Sequence, residues 1–247
     1  MKRILLLLCG LMLVFAACAA QPADATQIVT TTEAATTTEP TTTTTESTTT
    51  TQATTKPPTT RPITTTKKPA IYLYPQRPTW VDVTLTLRSS YFTKTIPAYN
   101  TGWHVLAQPN GQLTNLANGN TYPYLFWEAN EREPWPEAKE GFVVQREDLE
   151  SFLREKLAYM GLVPAEYEEF IEFWLPILSQ NEYSLIYFAG EEYTSRYPLE
   201  INPAPDSILR VFMIARPATG RERIAPQRLK PFTRTGFAVI EWGGTIL

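Results

Sequence analysis

Twenty-three threonines fall within the 41 residues from Thr26 to Thr66, and this tract decides how much of the 247-residue chain is available for a core. Scattered Pro, Glu and Lys accompany them, with almost nothing apolar. Such a stretch buries too little surface to offset its ordering entropy, so residues 18–67 are expected to form a disordered stalk. Roughly 50 residues of coil reach about 40 Å r.m.s. and ~165 Å when stretched out. Composition of this kind also fits O-glycosylation. What remains, residues 68–247, suffices for one domain with a real core. Both cysteines, Cys9 and Cys18, precede it. The domain therefore has neither disulfide nor thiol chemistry and depends on its core for stability.

The N-terminus carries Lys2-Arg3, then an apolar run from Ile4 to Ala17, then Cys18 after Phe15-Ala16-Ala17. A short basic region and an apolar stretch too short to span a bilayer read as an export signal over residues 1–17. Small residues immediately before a cysteine resemble the lipobox of bacterial lipoproteins. That resemblance implies lipidation of Cys18 and an extracytoplasmic, membrane-anchored location, with simple secretion as the alternative. From Ala70 onward there are 16 Lys/Arg against 21 Asp/Glu. An acidic domain is a poor partner for nucleic acid or an anionic bilayer, so the only membrane contact expected is the lipid anchor.

Periodicity gives the fold class. Ile71–Tyr74 is a short strand between Pro69 and Pro75, and TWVDVTLTL (79–87) alternates with period two. Residues 102–108 and 122–128 are further strands, with Asn-Gly turn signals in 109–113 and 117–120, so the first half reads as an antiparallel meander. After 141–144 the period lengthens: Leu149, Phe152, Leu153, Leu157 and Met160 share a helical face, and Gly161 follows as a C-terminal cap. A second helix starts at Pro164, with Pro176 expected to kink or end it. Strands resume over 183–189, 207–215 and 235–242, the middle one apolar enough to be covered on both faces. The expected class is α+β: a mainly antiparallel sheet or sandwich with a two-helix hairpin packed on it.

Chemistry is harder to read. The domain has one histidine, His104, and no cysteine or G-x-S-x-G turn, so nucleophilic catalysis has only His104 with Ser89, Ser90, Ser151 or Ser207 to draw on. Zinc lacks ligands, no metal or cofactor is expected, and Glu128, Glu131, Glu133, Glu137 and Glu140 read as a solvated acidic loop. Two Trp-Glu pairs, Trp127-Glu128 and Glu241-Trp242, are expected at the ends of strands. Glycoside cleavage needs two carboxyls on either side of the bond and aromatic walls. Glu128 and Glu241 are thus the catalytic candidates beside His104, with Trp103, Trp127 and Trp242 as ligand-stacking candidates and Trp135, Tyr122 and Tyr124 nearby. In INPAPDSILR, Asp206 and Arg210 are further binding candidates. The alternative for Arg210 is a buried pair with Asp206 or Glu241 that holds the sheet.

The stretches KPAIYLYP (68–75), GWHVLAQPNGQL (102–113), YPYLFWE (122–128), 141–162, FIEFWLPIL (170–178), INPAPDSILRVFM (201–213) and RTGFAVIEWGG (234–244) resemble a family of exported or surface-tethered microbial proteins marked by a KPxIYLYP opening. That resemblance implies domain limits and export, and carries nothing about a mechanism. The sequence thus points to a non-catalytic binding or interaction module at the cell surface, its partner a wall or extracellular polysaccharide or a surface protein. The competing expectation is a carbohydrate-active hydrolase using Glu128 and Glu241.

Overall fold

Strands covered on both faces set the architecture. In β1 (Thr65–Tyr74), Ala70 and Tyr72 face one way while Ile71 and Leu73 face the other, and all four are buried. The computed structural model describes residues 64–247, so the expected signal peptide, Cys18 and most of the stalk lie outside the described residues. After β1 come β2 (Thr79–Leu85), β3 (Ser90–Ile96), β4 (Trp103–Ala107), β5 (Leu113–Asn115), β6 (Thr121–Tyr122), β7 (Leu125–Glu131) and β8 (Phe142–Gln145). The helices α1 (Leu149–Met160) and α2 (Pro164–Leu178) follow, then β9 (Tyr183–Ala189), α3 (Glu191–Arg196), β10 (Leu199–Asn202), β11 (Ser207–Ala218) and β12 (Ala238–Ile246).

A seven-stranded sheet runs β3-β7-β1-β12-β11-β9-β8, and a five-stranded sheet runs β10-β2-β4-β5-β6. Ile71, Leu73, Trp127, Phe212 and Val239 of the larger sheet pack against Val81, Val83, Trp103 and Val105 of the smaller. On the opposite face, Tyr72, Ile186, Met213, Ile240 and Trp242 pack under Leu153, Leu157, Phe170 and Trp174 of the helical hairpin. The α+β class with a two-helix hairpin on a mainly antiparallel sheet is therefore what the chain adopts.

Several elements depart from the expectation. The first half is no simple meander: β1, β3 and β7 enter the larger sheet while β2, β4, β5 and β6 enter the smaller. The strand pair β11·β12 is parallel. A parallel pair needs a long crossover, supplied here by residues 219–237, which carry no helix and a single bridge at Ala225. Thr65–Lys67, assigned to the stalk by composition, belong to β1 and pair with Asn130, Ala129 and Gly244. Helix α2 continues two residues beyond Pro176. Gly161 caps α1 at φ 107°, as its position implies.

Candidate functional site

Strand register decides the fate of the two glutamates. Glu241 lies on the face of β12 toward the smaller sheet and is fully buried. Its Oε1 accepts the Trp127 indole N–H at 3.1 Å and its Oε2 accepts Arg210 Nε at 2.5 Å. Arg210 also donates to the Tyr197 carbonyl at 2.7 Å, and its guanidinium lies 4.7 Å from the Tyr193 ring centroid. Burial opposes the arginine's charge, but Glu241 and Tyr193 together outweigh it and hold Arg210 above its ordinary pKa. Glu128 follows Trp127 in β7, so its side chain leaves the opposite face of the sheet, level with Lys94. A sheet separates the two carboxyls, and they do not flank one glycosidic bond. Of the pairings open to Arg210, Glu241 is the partner. Asp206 is exposed and accepts the Phe237 N–H at 2.6 Å.

The other candidates part in the same way. Trp103, Trp127 and Trp242 are each at most 1% exposed, so they are core and present no stacking face. His104 is exposed and bonded at 2.5 Å to Asp82, its register partner on β2. Ser151 and Ser207 donate to the carbonyls of Asp148 and Thr235, away from His104. The acidic loop is only partly solvated. Glu131 is buried at the end of β7, where it accepts hydrogen bonds from Thr66, Tyr197 and Arg196, the last at 3.1 Å. Among the described residues no group of three or more His, Cys, Asp or Glu is placed to hold a metal.

What the structure does assemble is a tyrosine-lined groove. The helices cover β8, β9, β11, β12 and the Ala70 and Tyr72 stretch of β1, while beyond α2 Tyr74, Tyr124 and Glu128 are only partly buried and Lys94 is exposed. Tyr72 and Tyr74, two residues apart on β1, share one face and stack at 6.2 Å with an interplanar angle of 7°. Tyr124 meets Tyr72 edge-on at 5.2 Å. One hollow of about 400 Å³ is lined by Tyr72, Tyr74, Asn110, Gly111, Tyr122 and Pro123, among others. A second of about 420 Å³ is lined by Lys68, Lys94, Tyr124, Phe126, Glu128 and Phe173, and shares Tyr122 and Pro123 with the first. Gly111 makes this possible. At φ 86° it occupies the left-handed region, and a Cβ there would lie 2.7 Å from the Tyr74 ring.

Lys68 anchors the groove floor. Its φ of 54° places a non-glycine residue in the left-handed region, at the irregularity where β1 shifts register against both neighbours. Such a conformation persists only where the surroundings fix it. Here Nζ donates to Tyr124 Oη at 3.1 Å and Glu169 Oε1 at 3.2 Å, and lies 5.0 to 6.0 Å from four aromatic ring centroids. Burial disfavours the ammonium, while Tyr124 and Glu169 more than offset it and raise the pKa. Tyr72 donates to Glu169 Oε2 at 2.6 Å.

Buried phenols give a pH signature. Burial, reinforced by nearby carboxylates, pushes Tyr187 up to about 12, Tyr72, Tyr74 and Tyr197 higher still, and Tyr193 well above the ordinary phenol value. Above pH 10 the unfolded chain loses these protons while the folded chain keeps them. Stability contributed below that pH is then lost as pH rises through the folded values. The urea midpoint should fall steadily from about pH 10 upward, with phenolate absorbance from these rings appearing only as the domain unfolds. A midpoint that holds level to pH 11.5 would contradict the assignment.

No family model matches the chain, and no solved structure matches it. A protein of Butyrivibrio fibrisolvens, described as an uncharacterized protein in the bglA 3′ region, is similar to it: 41% identical over 66 residues, which are 26% of this chain and 66% of that protein. The chain thus spans just under two thirds of that relative's length.

Proposed function

We propose that the domain is a non-catalytic binding module that takes an extended saccharide chain in the tyrosine-lined groove. It is held outside the cell on a stalk from a lipidated Cys18. The observation that carries this reading is the groove itself. Ligand sites combine apolar or aromatic walls with a few placed polar groups. Here Tyr74, Tyr122 and Tyr124 offer partly exposed rings with hydroxyl handles beside Lys94 and Glu128. Sugars present apolar C–H faces and a rim of hydroxyls, which such a surface matches. Glu128 lines the groove, while the nearby Glu169 is engaged by Lys68 at 3.2 Å and by Tyr72 at 2.6 Å, which favours binding over the two-carboxyl chemistry of glycoside cleavage. The export signal and the threonine tract support the location.

Calorimetric titration with cello-, xylo- and chito-oligosaccharides tests the proposal. Saturable binding is expected for at least one series, weakened about tenfold, or about 1.4 kcal/mol, by Tyr124→Ala and by Tyr74→Ala. No reducing ends should be released. Release that Glu128→Gln abolishes, or binding that ignores both tyrosine substitutions, would sink it.

A further inference from the structure

We propose a second, separate binding surface: the crossover segment 216–230 is a docking site for a hydrated linear polyanion. The charge is segregated. Arg216, Arg221, Arg223, Arg228 and Lys230 lie within 15 residues that hold one acid, Glu222, whereas the rest of residues 70–247 carries 11 Lys/Arg against 20 Asp/Glu. All five cations are exposed, and among the described residues none forms an ion pair. Glu222 is occupied locally, accepting from the backbone N–H and hydroxyl of Thr219 at 2.8 and 3.1 Å. Arginine's planar fork suits carboxylate and phosphate oxygens, so the five unpaired cations define the chemistry of the partner.

The segment is also fixed in place. Where the short strand β8 ends, Gln227 takes over the edge of β9: its carboxamide accepts the Phe188 N–H at 2.9 Å and donates to the Phe188 carbonyl at 2.8 Å. The Gly141 N–H bonds the Ala225 carbonyl at 2.9 Å, and Ile224 and Leu229 pack into the two cores. With these side chains turned inward, the cations are held outward. Arg221 and Arg223, and again Arg228 and Lys230, lie two positions apart in the sequence, each pair with one residue between. Beside them, Lys139, Arg216 and Arg223 line a cavity of about 570 Å³ over Trp135, together with Glu137 and Glu222.

A bilayer is the weaker fit. No large apolar side chain of the segment is exposed, so nothing is available to insert below the headgroups. The surface lies at the β9/β8 edge of the larger sheet, and the groove lies toward the β3 edge.

The full chain is titrated with polygalacturonate, a carboxylate polymer, and with inorganic polyphosphate, alongside duplex DNA and phosphatidylglycerol vesicles. Binding to one or both linear polymers is expected, falling at least about tenfold between about 50 and about 200 mM salt. A variant with Arg221, Arg223, Arg228 and Lys230 all changed to Gln should bind at least about thirtyfold more weakly with an unchanged Tm. Which polymer wins distinguishes carboxylate from phosphate recognition. Binding to vesicles or DNA alone, equal binding by the quadruple variant, or no binding at the lower salt would overturn the proposal. The last result would leave the cations as guards of the sheet edge.

Discussion

Arg210→Ala will destabilise the domain by about 3–5 kcal/mol, a fall of roughly 10 °C or more in Tm. The substitution strands the Glu241 carboxylate in a site with no exposure, still bonded to the Trp127 indole but without its counter-charge. It also removes the donor to the Tyr197 carbonyl and the guanidinium over Tyr193. The loss therefore comes mainly from desolvation of an unpaired charge, larger than the net worth of the pair. The corollary is sharper than the single substitution. Arg210→Met together with Glu241→Leu should recover most of the stability, because replacing both buried charges by apolar groups of similar volume is near neutral. Chemical denaturation of the three proteins checks this. A single variant within 1 kcal/mol of wild type, or a double variant as weak as the single, would show that the pair does not act this way.

The same pair shows what a sequence withholds. Glu241 and Glu128 look alike in the sequence, each beside a tryptophan at an expected strand end, and both in fact lie inside their strands, β12 and β7. Their fates differ because side chains alternate between faces, and which face is buried depends on the strand's neighbours. β12 lies in the middle of a sheet covered on both sides, while β7 lies next to the edge strand, where Glu128 and Asn130 on one face are only partly buried. Period two is readable from sequence; a strand's place in the sheet is not. The tryptophans misled for the same reason, since an aromatic ring on a central strand is core whatever its chemistry. The groove did leave a trace. Tyr72 and Tyr74, like Tyr122 and Tyr124, are spaced two apart, and two such pairs on adjacent chain segments put four rings on one face. That pattern was visible, but the adjacency that gives it meaning came only from the β1·β7 pairing.

The α+β class was legible because the change of period after residue 144, the Gly161 cap and Pro164 are local signals. The strand β3 was not, since SYFTKTI is too polar to mark a strand and gains its place by pairing with β7 across Tyr91↔Asn130 and Lys94↔Glu128. The parallel β11·β12 pair was hidden because its crossover lacks the helix that normally announces one. Composition also set the domain boundary too late. Threonine suits a stalk and a strand equally, and Thr65 and Thr66 are the last of a run that gives no internal signal of where pairing begins.

That boundary yields the final expectation. A chain beginning at Lys68 will be less stable than one beginning at Thr64 by about 3–5 kcal/mol, although the two differ by four residues that read as linker. The Thr66 hydroxyl donates to the buried Glu131 carboxylate, and hydrogen bonds to charged groups contribute about 1.5–3 kcal/mol. The Thr64 carbonyl accepts the Glu131 N–H at 2.8 Å and the Thr65 carbonyl accepts the Thr245 hydroxyl at 2.9 Å, each adding about 1 kcal/mol. Without them Glu131 keeps Arg196 and Tyr197 but is opened to water at the margin of the core. In the full chain, Thr66→Val should reproduce the carboxylate part of the loss, because it keeps the shape and removes only the hydroxyl. Urea unfolding of the two truncated chains and of the valine variant separates the contributions. If the chain from Lys68 is as stable as the longer one, the threonines belong to the stalk after all, and Glu131 is held by Arg196 and Tyr197 alone.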